Sequence, residues 1–207
     1  MESTRVFAMF SILRYSMSAY LVLVFAALSR LLPHAFHATG LNFTAVGGSL
    51  LFFGSRMGNR RWMAGIAMLA LAATDYYLTV YAYGFPFHLS QYVATWAWYG
   101  AICFVGQGLL AKTSGRNSND NAGWMRVGAA VLASSTSFFL LSNFMVWAQS
   151  GMYAKTTAGL GACFVAAIPF YANDVISTAI TAGVLFGLPA LARGMVEMVR
   201  GAEVSVA

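Results

Sequence analysis

Between Arg61 and Lys112 the chain carries a single charge, Asp75, and between Arg126 and Lys155 it carries none. Apolar runs of that length leave few folds open. A helix needs about 20 largely apolar residues to cross the hydrocarbon core of a bilayer. Charged residues make up 9% of the chain and hydrophobic ones 59%, whereas an ordinary soluble domain has roughly 25% charged residues. So few charges cannot cover a soluble fold. The sequence reads as an all-α integral membrane protein, its 207 residues forming a single transmembrane domain. The net charge of +6 does not point to nucleic acid, because the basic residues lie singly or in twos between apolar blocks. That is the distribution of topology signals, not of a phosphate-binding patch. Cys103 and Cys163 stand inside apolar segments and read as buried small hydrophobes rather than a disulfide or metal pair.

The apolar pattern predicts six spans, at about 15–32, 44–55, 62–81, 89–110, 125–147 and 175–192. The second, TAVGGSLLFFGS, is short and glycine-rich and crosses only if tightly packed, bent or extended into its flanks. Residues 157–171 are too short to span and meet Pro169, so they read as a short helix on one surface. No cleavage motif follows the first apolar run, which is expected to stay as an anchor. With the N-terminus in the cytoplasm, ten basic residues fall inside and only Arg30 and Lys155 outside. This positive-inside bias favours counting 44–55 as a span and puts both termini in the cytoplasm. The loops holding His34, His37 and His88, and the excursion 149–174 with its surface helix, then lie outside.

The outer side therefore gathers the residues able to hold a ligand: His88, Asp75, Tyr92, Asn143, Trp147 and Tyr153. Asp75 lies 13 residues past Trp62, about 20 Å along its helix. A carboxylate at that depth needs a partner or a watery cavity. Arg30 is the expected partner in a structural ion pair, and direct ligand contact is the alternative. Aromatic residues crowd this end and suit either an interfacial belt or the walls of a pocket. His88, Tyr92, Thr95 and Tyr99 recur at helical spacing. With no second ligand at i+3 or i+4, His88 reads either as an interfacial histidine or as a ligand to a metal that brings most of its own donors. Ala129, Ala133 and Ser137 offer a small-residue packing face. GQGLLAKT, residues 106–113, lacks the second glycine of a phosphate-binding loop and ends a membrane helix. The sequon at Asn42 runs straight into a span and reads as chance. No nucleophile–base pair or metal-ligand cluster appears, so an enzyme is not expected.

The segments SRLLPH, LNFTAVGGSLLFFG, TDYY and SNFMVWAQSGMYAKTTAGLGACFVAAIPFYANDVISTAITAGVLFG resemble a family of uncharacterised bacterial membrane proteins. That family is related to the substrate-binding S components of energy-coupling factor vitamin transporters. The resemblance implies a six-helix S-component-like bundle in the bacterial cytoplasmic (inner) membrane, with a substrate pocket at the outer face. Asp75-Tyr76 and FPFHLSQ are more distantly similar to solitary vitamin B12 transporters, in which a cysteine stands where His88 falls. This implies a corrinoid as candidate substrate, with His88 as its candidate cobalt ligand. The first span, YSMSAYLVLVFAALSRLL, lacks the A-x-x-x-A pattern used to dock a shared ATPase module. The expected function is a solitary protein that binds and imports a vitamin-like molecule. The alternative is a non-catalytic accessory subunit of a larger membrane complex. Expected partners are membrane lipids, a small-molecule ligand and, on the alternative, other membrane subunits.

Overall fold

The computed structural model describes residues 17–31, 44–111 and 121–206, and their regular structure is entirely helical. Six α-helices are present among the described residues. They are α1 (Met17–Ser29), α2 (Val46–Arg56), α3 (Met63–Tyr77), α4 (Val93–Leu110), α5 (Asn121–Gln149) and α6 (Thr157–Val206). A π-turn, Leu78–Ala82, prolongs α3. Four helical stretches are long and apolar enough to cross a membrane: Met63–Ala82, Val93–Leu110, Ala122–Gln149 and Thr157–Val196. In hydrocarbon a continuous helix satisfies its own backbone polar groups, so such sequences have little choice but to be helical. Gly84, at φ +69, turns the chain after α3 in a conformation that side chains disfavour. The Phe85 N–H then returns to the Thr79 carbonyl at 2.9 Å.

The helices are arranged around α2. Its 11 residues extend only about 16 Å, short of a hydrocarbon core of about 30 Å. Every residue from Val46 to Ser55 is buried. Glycine makes this possible. A Cβ on Gly54 would strike the Cys103 carbonyl of α4, and one on Gly106 of α4 would strike the Leu51 carbonyl. The two backbones thus cross in direct contact, as small residues allow in membranes. On another side, a Cβ on Gly48 would come within 2.7 Å of Thr181 Cβ on α6. Phe53 meets Tyr20 of α1 edge-on at 6.1 Å, and Phe52 meets Phe186 of α6 at 5.3 Å. The Ala45 N–H donates to Ser29 Oγ at 3.1 Å, tying the start of α2 to the end of α1.

Several expectations need correction. The surface helix at 157–171 and the span at 175–192 are one element, because α6 passes through Pro169 without a break. Proline removes the bond to the carbonyl four residues back, but membrane helices tolerate this where neighbours or local adjustment compensate. Spin labels at the exposed positions Ala158 and Ala179, with both native cysteines replaced by alanine, should lie about 30 Å apart. A surface helix meeting a span at an angle would give a clearly shorter distance. The segment 89–110 also divides: a short 3-10 turn, Leu89–Gln91, precedes α4. His88, with extended backbone, is therefore off the register of Tyr92 and Tyr99. The packed face of α5 is not that of Ala129 and Ala133, which are exposed. It is offset by one residue, through Val127, Ala130, Val131, Ser134 and Ser135. Cys103 and Cys163 are both free and buried. The loop with His34 and His37, the sequon at Asn42, and Lys112 and Arg116 lie outside the described residues.

Candidate ligand site

Asp75 is buried at 4% exposure and both of its carboxylate oxygens are engaged. Arg30 Nη2 donates to Oδ1 in an ion pair, and Trp96 Nε1 donates to Oδ2 at 2.8 Å. The other end of the same guanidinium, Nη1, donates to Thr74 Oγ1 at 2.8 Å and to the Leu71 carbonyl at 3.2 Å. One arginine at the end of α1 thus clasps α3, while the Trp96 indole brings in α4. Thr79 Oγ1 donates to the Asp75 carbonyl at 2.7 Å and lies 2.6 Å from the Tyr92 hydroxyl. Phe87 stacks on Tyr92 at 4.9 Å, and Tyr92 on Trp96 at 6.1 Å, so an aromatic pile covers the clasp. Asp75 is a brace, each of its oxygens holding one partner.

Two cavities meet at Arg30 and Thr44. One, of about 410 Å³, is lined on its polar side by Asp75, Thr79, Gln91 and Tyr92. The other, of about 230 Å³, lies among α1, α2, α4, α5 and α6. Its aromatic walls include Trp98, Tyr99, Phe139 and Tyr171, and its polar groups include Ser135, Asn143 and Asp174. The walls are held from outside the cavity. Trp98 Nε1 donates to Ser137 Oγ at 2.9 Å, the Tyr171 hydroxyl lies 2.9 Å from Thr136 Oγ1, and Phe139 packs on Tyr171 at 4.9 Å. Fixed walls with a few convergent polar groups are what small-molecule sites usually show.

Asp174 stands out in this cavity. It is half-buried, inside the apolar stretch of α6, and it shares the cavity with Ser135, whose buried hydroxyl has no hydrogen-bond partner among the described residues. Arg30 lines the same cavity, but its ion pair is with Asp75, and no ion pair to Asp174 is present among the described residues.

The residues singled out from the sequence separate into three groups. Asp75 and Tyr92 line the larger cavity, and Asn143 lines the smaller one, its Nδ2 bonded to the Phe139 carbonyl at 2.7 Å. His88 is exposed and lines neither. Among the described residues no cluster of three or more His, Cys, Asp or Glu side chains is placed to hold a metal ion. Trp147 and Tyr153 also line neither cavity. Trp147 instead shapes the turn into α6, its indole donating to the Ala154 carbonyl at 2.9 Å. Lys155 caps the end of α5 through the Trp147 and Ser150 carbonyls, its ammonium 5.5 Å over the Trp147 ring. Most of the other aromatics at this end, including Tyr76, Tyr77 and Tyr81, are exposed and suit an interfacial belt. Sequence reasoning passed over Asp174. Its signal was present, since it is the one charge between Lys155 and Arg193, but it fell between a supposed surface helix and a supposed span.

Among characterised proteins the chain finds little company: no curated protein and no solved structure matches it. A family of unknown function, DUF6580, matches residues 11–199, and the chain belongs to that family.

Proposed function

We propose that this member of a family of unknown function is a solitary membrane protein of the S-component type, binding a vitamin-like small molecule in the cavity of about 230 Å³. The observation that carries the reading is that cavity's combination of fixed aromatic walls with Ser135, Asn143 and Asp174 turned to one space. Arg56, Arg60, Arg61 and Arg126 lie toward the other end of the bundle, while Arg30 and Lys155 lie at the cavity end. The positive-inside bias then turns the cavity outward, in the inner membrane of a bacterium. The ligand is compact. The cavity is smaller than the roughly 300–1,000 Å³ typical of drug-sized ligands, and His88 stands outside it, so its geometry lends nothing to a corrinoid. Import is the expected purpose of such a site, driven by an energy source other than this chain.

The test is purification in mild detergent, with mass spectrometry of the small molecules released on denaturation. A compound should come with the wild-type protein in near-stoichiometric amount and drop at least about tenfold in Ser142→Phe, which fills the cavity with an aromatic ring. Equal amounts in both would place the compound elsewhere. An empty protein arriving with fixed partner subunits would replace this reading with that of an accessory subunit.

A further inference from the structure

We infer that the ligand is an organic cation, an ammonium group on a compact apolar or aromatic body, held by Asp174. The inference rests on reading the smaller cavity as the ligand site, and it follows from the charges around that space. Two ionisable side chains of opposite sign line the cavity, Arg30 and Asp174. Arg30 is already matched by Asp75, whose two oxygens are both occupied. Asp174 has no such match. From α5 the polar lining is Ser135, Ser142 and Asn143, none of which carries charge. From α2 the lining is Val46 and Gly47, from α4 Trp98 and Tyr99, and among the described residues no lysine or histidine lines the cavity. A carboxylate inside a membrane helix stays charged only with a counter-charge or ready water. The missing positive charge is what a bound ligand supplies.

The walls select the kind of cation. A bare metal ion would find one carboxylate and a few neutral oxygens, too few for a hard divalent ion that takes about six or more. Phe139, Phe170 and Tyr171 instead line the same cavity as the carboxylate. Aromatic faces attract ammonium groups, most strongly where water is excluded. Asn143 and Ser142 remain to receive a polar group on the rest of the ligand.

Two probes of nearly identical shape decide the matter: benzyltrimethylammonium, and neopentylbenzene, in which carbon replaces the charged nitrogen. Binding of each to detergent-purified wild type, Asp174→Asn and Ser142→Phe would be measured by calorimetry, with size exclusion confirming that each variant is folded. Wild type should prefer the ammonium by at least about tenfold. Asp174→Asn, which keeps the shape and removes the charge, should bring the two probes within about threefold of each other. Equal binding of both probes to wild type would overturn the cationic ligand, because Asp174 would then be occupied by a proton. The cavity would still stand as a site in that case, provided Ser142→Phe abolished both signals. Binding of neither probe to wild type would overturn both readings.

Discussion

Gly54→Ala should destabilise the protein by about 1–3 kcal/mol, the range for forcing extra atoms into a packed interior, and Gly54→Leu should prevent its isolation as a folded monomer. The added Cβ has nowhere to go, because it meets the backbone carbonyl of Cys103, not the yielding end of a side chain. Relief requires the axes of α2 and α4 to separate, which opens the contact along their whole length. Gly106→Ala, meeting the Leu51 carbonyl from the other helix, should behave alike. The controls are internal. A Cβ at Gly100 or Gly108, on the same helix α4, meets nothing within 4 Å, so alanine there should be neutral or slightly stabilising. Thermal unfolding in detergent, followed by size exclusion, separates the cases. Equal stability of Gly54→Ala and Gly100→Ala would mean that the two helices do not touch where the structure places them.

The second large effect belongs to the clasp. Arg30→Met leaves the Asp75 carboxylate buried with only the Trp96 indole to answer it, and removing one member of a buried pair costs about 3–5 kcal/mol. Asp75→Leu should be nearly as damaging, since it strands the guanidinium. The double variant, Arg30→Met with Asp75→Leu, should recover most of the loss, because two well-packed apolar side chains can replace a buried pair at little net cost. A double-mutant cycle of unfolding free energies measures the coupling. Purely additive losses would show that Arg30 and Asp75 act separately, Arg30 through Thr74 and the Leu71 carbonyl.

What could be read from the sequence was mostly what composition and charge decide locally. The membrane class follows from the uncharged runs, and the partner of Asp75 from the cost of leaving a carboxylate unpaired in a span. The errors share a different cause. Whether a helix ends at Pro169 depends on whether its surroundings tolerate one missing hydrogen bond, and that is not written within a few residues of the proline. TAVGGSLLFFGS left tight packing and bending both open, and only the neighbouring helices show that its glycines touch α4 and α6. The face of α5 was missed by one position because Ala129/Ala133 and Ala130/Ser134 are both small pairs four apart, and only the neighbouring helices distinguish them. Asp174 was missed through the Pro169 error: once the helix is continuous, its carboxylate plainly belongs inside an apolar element.

The shortness of α2 has a consequence for the proposed import. Its first turn, through Val46 and Gly47, borders the smaller cavity, and its last residue is Arg56, followed by the basic pair Arg60 and Arg61. On the proposed reading, a solute seated beside Asp174 would stand roughly midway across a hydrocarbon core of about 30 Å. Between that cavity and the basic end α2 itself runs about 16 Å, three turns that carry five apolar side chains, three glycines, Ser49 and Ser55 before Arg56.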